Sequence, residues 1–462
     1  MGLNALDRHV ALVGFMGAGK STLVAPLAER LGRPGLDLDE DATALIEAHG
    51  LDRFRELEAA RAREALARRE PGVYALGGGA VTTPDVCEAL ERSAFTILLD
   101  VDVDDAWERV RGSDRPLAQD EATFRRLYDE RRPAYRAAAD AFVRSGDLDG
   151  AVLAAAGVHH EIGALDQLGE LVPGDGPVAL VADATVMGIH GPRAQEALGD
   201  RLVTTHELPA GEQAKQIRVV ERLWAELTLD RRGTIVALGG GALTDAAGFA
   251  AATYLRGIPW VAVPTTLVGQ VDAGLGGKTA VDLPQGKNLV GAFHWAARVV
   301  IDEALLATLP ERERRQGAAE LVKTELLAAR PLDVRAAAAY KAALCIRDPH
   351  DRDVRQWLNL GHTFAHALEA GTNFELPHGD AVALGLLAAL RLSGRSVDPV
   401  ERSLAPTPVC ADRDRAWQAL LRDKKRAGDT INLVLLGDDG PYVAGRPPDE
   451  VRGALDRLIA DR

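Results

Sequence analysis

The stretch GFMGAGKS, Gly14–Ser21, sets a lysine and a hydroxyl directly behind a glycine-rich turn. It satisfies G-x-x-x-x-G-K followed by serine or threonine, and it lies between an apolar run and a helical pattern. Backbone N–H groups of such a turn cradle phosphates at a helix N-terminus, so Gly17, Ala18, Gly19 and Thr22 are candidate nucleotide-binding positions. Lys20 is suited to the terminal phosphates of ATP, and Ser21 to Mg2+. LDLDE supplies Asp37 and Asp39 two apart at a strand end, one for Mg2+ and one for an acceptor hydroxyl. FRELE (Phe54–Glu58), RPL (Arg115–Leu117) and RRPAY (Arg131–Tyr135) add arginines suited to carboxylate or phosphate. The NKxD tetrapeptide of GTPases is absent, which points to a nucleoside or small-molecule kinase.

A second constellation lies further along. Glu320 and Lys323 are three apart in a helical pattern, NLGHTFAHALE sets His362 and His366 four apart, and LPHGDAV adds His378. One Glu and two His with an open position form the ligand set of a catalytic zinc. Upstream, GGGALTDAAGF (Gly239–Phe249) is not the G-x-G-x-x-G fingerprint. It is still a glycine turn between strand and helix, suited to a dinucleotide pyrophosphate. GEQAK places Glu212 and Lys215 before it, and Pro264–Phe293 carries Asp272, Lys278, Lys287 and Asn288 in what reads as one dense loop region.

The elements that must position these residues follow from apolar periodicity. HVALVGF, VYAL and AFTILLD read as strands, and Thr123–Ala141 as a charged helix: an α/β module with a parallel sheet and helices on both faces. A second βα series runs through PVALVAD, a helix around Ala194–Leu198, RLVTTHEL, a helix around Gln216–Leu227, GTIVALGGG and PWVAVPTTL. From Ala304 the pattern turns helical, at Arg312–Leu327, Arg335–Cys345, Arg355–Ala370 and Ala381–Leu390. The expected domains are a P-loop kinase module over 1–155, an α/β dinucleotide-binding domain over 156–303 and an α-helical metal- and substrate-binding domain over 304–462. At about 100–200 residues per domain, the length allows this division.

Hydrophobic residues make up 47% of the 462 positions, ample for sizeable cores. Net charge is −14, with −8 up to Gly150 and −6 beyond. Both parts are acidic, which argues against nucleic acid or a membrane surface as partner and leaves basic groups to local pockets. Three cysteines without C-x-x-C spacing fit a reducing compartment, and no signal peptide pattern opens the chain, so a cytoplasmic location is expected. Of the 54 basic residues only eight are lysine: Lys20, Lys215, Lys278, Lys287, Lys323, Lys341, Lys424 and Lys425. A compact ammonium cannot always be replaced by a planar guanidinium, so lysines surviving in so Arg-biased a chain flag positions worth inspecting.

Taken in order, GFMGAGKS, D-L-D, F-R-x-x-E, GGG, RPL and R-x-P-x-Y resemble shikimate kinase over about the first third of the chain. The resemblance implies that Asp39 binds and activates the acceptor hydroxyl, and that Arg55, Gly78 and Arg131 hold the substrate. Asp37 would assist Mg2+, and Arg115 would be a lid arginine over ATP. Only three residues separate Gly50 from Phe54, where the family carries a longer segment that helps cover the acceptor. A kinase half impaired by this deletion, with only the synthase active, is the alternative.

The rest of the chain, Val158–Arg462, resembles 3-dehydroquinate synthase. GExxK, GGGxxxDxxGFxA, YxRG, PTTLxxQVDxxxGGKTA, GKNxxGAF, AExxK, NLGHTFxHAxE, HGxAV and DKK occur in family order. The resemblance implies NAD on Asp183, Glu212, Lys215, Gly240, Gly241, Asp245, Thr265, Thr266 and Lys287, and Zn2+ or Co2+ on Glu320, His362 and His378. His366 would sit in the substrate's shell. The substrate pocket would comprise Arg256, Asp272, Lys278, Asn288, Lys323, Lys341, Arg355, Asn359 and the stretch holding Lys424 and Lys425. Such a crowd of cations suits an anionic sugar-acid phosphate. Zinc would polarise the hydroxyl being oxidised, NAD would take and return the hydride, and phosphate would leave by elimination. A homodimer through the synthase part is held open.

Departures from the family are Thr244 for Gly, Asp351 for Glu, and a Lys323-to-Lys341 spacing of 18 residues, shorter than usual. The expectation is therefore a bifunctional shikimate-pathway enzyme. A kinase of another acceptor joined to a polyol dehydrogenase is disfavoured, because an uncharged polyol needs no such cations. A sensor without turnover is disfavoured by intact Lys20, Asp39, Glu320, His362 and His378. All eight lysines fall inside these motifs. The hexapeptide ALGGGA occurs twice, at Ala75–Ala80 and Ala237–Ala242, in unlike surroundings. It reads as two strand-to-loop turns rather than a duplication, the first facing a polyol acid and the second a dinucleotide.

Overall fold

The computed structural model describes residues 5–460 apart from 40–43, 45, 47, 49, 114–115 and 424–429. Arg115, Lys424 and Lys425 therefore lie outside the described residues. The chain divides into two compact units, Met1–His159 with Ala342–Arg347, and His160–Lys341 with Asp348–Arg462.

The first unit is built on five strands: β1 (His9–Val13), β2 (Gly35–Asp37), β3 (Val73–Ala75), β4 (Ala94–Asp100) and β5 (Ala141–Arg144). They pair in parallel in the order β2-β3-β1-β4-β5. All five residues of β1 are buried, as a strand covered on both faces requires. The chain leaves β1 toward one edge and later returns past it toward the other. Right-handed crossovers in opposite directions put helices on both faces and leave a crevice at the carboxyl ends of the strands. The ends of β1, β3 and β2 lead respectively into Gly14–Gly19, Gly77–Gly79 and Leu38–Asp39, so adjacent strands deliver three loops to one edge.

A six-stranded sheet, all of it in the second unit but for Val158 and His159 at the boundary, consists of β6 (Val158–His160), β7 (Val178–Asp183), β8 (Leu202–Leu208), β9 (Thr234–Gly239), β10 (Trp260–Pro264) and β13 (Arg298–Ile301), in the order β6-β13-β10-β9-β7-β8. The pairs β13/β10, β10/β9, β9/β7 and β7/β8 are parallel. Aliphatic side chains of these strands fill its core, including Val178, Leu180, Val236, Leu238, Val261 and Val263. Between β10 and β13 the expected loop region is instead a π-helical turn, Gly269–Ala273, and an antiparallel hairpin of β11 (Lys278–Leu283) and β12 (Gly286–Phe293). Such turns are rare and concentrate at functional sites.

Helices Glu311–Ala328, His362–Gly371 and His378–Leu392 carry the expected metal ligands. The single helix expected over Arg355–Ala370 is broken. A 3-10 turn, Val354–Asn359, is followed by Gly361 at φ 79° before the helix His362–Gly371 begins. A Cβ on Gly361 would lie 2.8 Å from the Leu386 nitrogen, so the glycine serves both the left-handed backbone and a close helix crossing. A second hairpin, β14 (Ile431–Gly437) with β15 (Gly440–Arg446), interrupts the expected all-helical C-terminal domain.

Candidate active sites

In the first unit the turn Gly14–Gly19 takes φ of 150°, 81° and 83° at Gly14, Gly17 and Gly19. A Cβ on Gly17 would lie 2.7 Å from the Ala106 carbonyl oxygen, so only glycine fits. Helix Lys20–Leu31 starts directly behind it, with Ser21 and Thr22 in its first turn. Lys20 is buried and its Nζ donates to the Gly14 oxygen at 2.7 Å. A cleft of about 530 Å3 is lined by Gly17, Lys20, Ser21, Asp39, Arg109 and Ser145, among others. Arg109 Nη1 donates to Gly17 O at 2.9 Å and to Ser145 Oγ at 2.6 Å, and Ser145 Oγ donates to Ala18 O at 2.9 Å. These bonds engage the carbonyls of the loop on the side of Arg109 and Ser145.

Asp37 Oδ1 accepts from the Asp39 backbone N–H at 3.0 Å, which fixes the turn holding both carboxylates. The loop Gly77–Gly79 lies on a partly buried ion pair: Arg55 Nη1 donates to Glu58 Oε2 at 2.6 Å, and the Gly79 N–H donates to Glu58 Oε1 at 3.3 Å. A Cβ on Gly77 would overlap Glu58, and one on Gly79 would overlap the Arg55 guanidinium. Arg131 Nη1 and Tyr135 Oη, one turn apart on helix Glu121–Ala138, both donate to the Gly78 carbonyl, at 3.1 and 2.5 Å. Burial pushes the Tyr135 phenol up to about 12, so it remains a donor. Asp39, Arg55, Gly78 and Arg131 thus meet around one loop.

In the second unit Glu320, His362 and His378 bring one ligand atom each within 4.8 Å of the others. Glu320 is fully buried. Its Oε1 lies 3.4 Å from His362 Nε2 and 3.2 Å from His378 Nε2. Close backbone approach produces this convergence. Gly361 admits the helix of His378 beside that of His362, and a Cβ on Gly379 would lie 2.5 Å from Gln316 in the helix of Glu320. The His366 ring stands edge-on to His362, with centroids 5.7 Å apart.

Behind the triad, His378 Nδ1 lies 3.3 Å from Glu369 Oε1. Against the cost of burial, hydrogen bonds to Glu320 and Glu369 push His378 up to about 10. Burial holds His362 below its ordinary value despite the pull of Glu320.

Lys323 pairs with Glu320 and lies 3.5 Å from Asp272 Oδ1, which Lys341 Nζ also approaches at 2.9 Å. Lys341 further donates to the Asp272 carbonyl at 2.6 Å. Burial alone would discharge Lys323, but Asp272 and Glu320 raise it, so the ammonium is retained. Burial likewise opposes ionisation of Asp272, and Lys323 and Lys341 hold it lowered. Lys278, at the base of the hairpin, pairs with Asp351. Arg355 is buried and its Nη2 donates to Gly276 O at 2.9 Å.

Gly240 caps helix Gly241–Thr253 at the end of β9, and Thr265 N–H donates to Gly239 O at 3.0 Å across the neighbouring strand end. Lys215 Nζ donates to Asp245 Oδ2 at 2.7 Å and also reaches Asn288 Oδ1. Burial raises Asp245 to about 6 against the pull of Lys215. Asn288, expected among substrate residues, therefore sits beside Lys215 and Asp245, which were expected at the dinucleotide. Asp183 uses Oδ1 to accept from Thr185 and Val186 N–H, capping its helix. Thr266 Oγ1 accepts from Gly269 N–H at 3.1 Å. Lys287 lies 3.5 Å from Glu212 Oε1. Asn359 ends the 3-10 turn of Arg355. Arg256 is exposed on the turn Tyr254–Arg256 at φ 70°, and no hydrogen bond or ion pair among the described residues ties it to the cluster.

Three residues with no role assigned from sequence take part: Glu58, Glu369 and Arg109. Glu58 and Glu369 lie within the quoted motifs FRELE and NLGHTFAHALE, three residues after Arg55 and seven after His362. That helical spacing was the available signal.

Residues 16–156 match the family model of shikimate kinase. Residues 205–316 match the N-terminal model of 3-dehydroquinate synthase, and residues 298–426 its C-terminal model. A 3-dehydroquinate synthase of Symbiobacterium thermophilum is 40% identical over 342 residues, covering 64% of this chain and 96% of that protein. A crystal structure of 2-deoxy-scyllo-inosose synthase complexed with carbaglucose-6-phosphate, NAD+ and Co2+ is 25% identical, with a TM-score of 0.58 over 65% of this chain and 96% of that one. The 2-epi-5-epi-valiolone synthase of Streptomyces hygroscopicus subsp. jinggangensis, with NAD+ and Zn2+ bound, is 27% identical, with a TM-score of 0.55 over 65% and 96%.

Proposed function

The chain belongs to the 3-dehydroquinate synthase family across its C-terminal two thirds and carries a shikimate kinase domain ahead of it, and from that premise we propose that it catalyses two reactions of one pathway. The first is ATP-dependent phosphorylation of shikimate to shikimate 3-phosphate. The second converts 3-deoxy-D-arabino-heptulosonate 7-phosphate to 3-dehydroquinate and phosphate. The carrying observation is the convergence of Glu320, His362 and His378 beside the Lys323–Asp272–Lys341 network.

The donor set suits a divalent metal: one buried carboxylate and two imidazoles from three helices, with a second carboxylate behind one imidazole. When bound, Zn2+ or Co2+ supplies Lewis acidity to the hydroxyl being oxidised, and NAD supplies a hydride acceptor that is regenerated each turnover. Lys215, Asp245, Gly240, Gly241 and Thr265 contribute to the NAD site, with Asp183, Glu212, Thr266 and Lys287 around it. Lys323 and Lys341, both aimed by Asp272, bind and orient the anionic substrate. Lys278, Arg355 and Asn359 extend that pocket, and Asn288 lies between it and the proposed NAD site, against Lys215. His366 exchanges a proton at an imidazole nitrogen.

In the kinase half Lys20 neutralises charge on the transferred phosphoryl group, Ser21 and Asp37 serve Mg2+, and Asp39 accepts the proton of the shikimate hydroxyl. Arg55, Gly78 and Arg131 hold the acceptor. The Arg55–Glu58 anchor under Gly79 supports an active kinase half over an impaired one.

The ligands are small molecules, and no described helix is long and apolar enough to cross a membrane. Free Cys87, Cys345 and Cys410 support the cytoplasm as location.

The test follows phosphate release from the heptulosonate phosphate, with and without a chelator, while NADH absorbance is monitored. Release, chelator sensitivity and no net NADH are expected. Steady NADH accumulation would overturn the synthase reading.

A further inference from the structure

Asp348 belongs to none of the motifs, and of the residues proposed to meet substrate its carboxylate touches one, Arg355, at the backbone N–H. It is 7% exposed, and its carboxylate collects three backbone N–H groups of the segment that follows. Oδ1 accepts from Arg352 at 2.9 Å, and Oδ2 accepts from Asp353 at 2.6 Å and Arg355 at 3.2 Å. Its own carbonyl accepts from Asp351 N–H at 3.3 Å. A side chain bonding so many amides ahead of it dictates the path of the loop.

That path has two consequences. Asp351 is held at φ 57°, a left-handed conformation that aspartate tolerates but does not favour, and from there its carboxylate meets Lys278 at the base of the hairpin. Four residues on, Arg355 is set so that Nη1 donates to Pro349 O at 3.1 Å and Nη2 to Gly276 O at 2.9 Å. Gly276 is two residues before Lys278. One loop therefore grips the hairpin base at two points, and both depend on the turn that Asp348 organises. His350, in the same loop, meets Phe293 at the far end of β12 edge-on, with centroids 5.3 Å apart.

We infer that Asp348 is a positioning residue of the synthase site, acting through Asp351 to place Lys278 and through the loop backbone to place Arg355. Burial alone would raise the Asp348 carboxyl. The amides of Arg352, Asp353 and Arg355 more than reverse this, so it remains an acceptor through the working pH range. The inference rests on the synthase reading. Phosphate release by the unaltered enzyme tests that reading, and the cycle below tests this one.

The experiment is a double-mutant cycle on the full chain, loaded with metal and NAD, read as KM and kcat for the heptulosonate phosphate. Asp348→Asn removes at least one charge-assisted bond. It is expected to raise KM about tenfold while kcat stays within about threefold. Asp351→Ala is expected to raise KM by itself, and the double variant to add little to the larger single effect, because both act through Lys278. If Asp348→Asn does not accumulate in folded form, Asp348→Ser, which keeps a capping oxygen, enters the same cycle. Shikimate-dependent ADP formation and bound metal per chain are expected to be unchanged. Multiplicative KM effects in the double variant would overturn the inference. So would a lowered melting temperature and metal content with KM unmoved.

Discussion

A carboxylate behind a metal-binding imidazole fixes its tautomer and raises its basicity. In the proposed metal site Glu369 stands in that relation to His378, and Glu58 plays a similar part for Arg55. Glu369→Gln keeps the size of the side chain but weakens its acceptor. Metal affinity, measured by competition with a chromophoric chelator, is expected to fall about 10- to 100-fold. An unchanged affinity would reduce Glu369 to packing. The candidate ligands were legible as a set, one Glu with nearby His, because histidines four apart, such as His362 and His366, are common without a metal. The supporting residues were not. The partner of Asp348 is backbone, that of Arg109 is a carbonyl 92 positions away, and no spacing rule encodes either. Lysine scarcity was the better guide: Lys20, Lys215, Lys323 and Lys341 are all buried, and Lys278 and Lys287 pair with carboxylates.

Among the elements, the parallel strands were readable because fully covered strands are continuous apolar runs. The hairpin Lys278–Phe293 was not, because its alternation is broken by Lys278, Asp282, Lys287 and Asn288, whose types answer to the site. The break at Gly361 was hidden because NLGHTF continues a helical apolar period across it; only the approach of Leu386 requires it. The first ALGGGA also acquires a different reason. Its glycines are needed at least as much by Glu58 and Arg55 beneath them as by any ligand above. Gly79→Ala is therefore expected to push the Arg55 guanidinium aside and raise the KM for shikimate at least about tenfold, with the KM for ATP within about twofold. Equal changes in both constants would point to a general loosening of the fold.

For the molecule as a whole, two compact units with separate sheets and separate sites predict separable activities. Lys20→Met is expected to abolish shikimate-dependent ADP formation and leave phosphate release from the heptulosonate phosphate intact. His362→Ala should do the reverse. Loss of both activities in either variant would contradict independent sites. The run of helices from Glu311 was visible from where strand signals stop. The small C-terminal hairpin Ile431–Arg446 was missed because one pair of short strands carries little periodic signal against surrounding helices.

The burial of lysine has a practical consequence for handling the protein. Amine-directed reagents ordinarily decorate a surface at random, but here four of the six described lysines are buried and the remaining two lie in the proposed NAD and substrate regions. Among the described lysines, acylating dyes, aldehyde fixatives and amine-coupled sensor chips would therefore react first at Lys278 and Lys287. Attachment through the free thiol of exposed Cys410 is the route that leaves those ammonium groups alone.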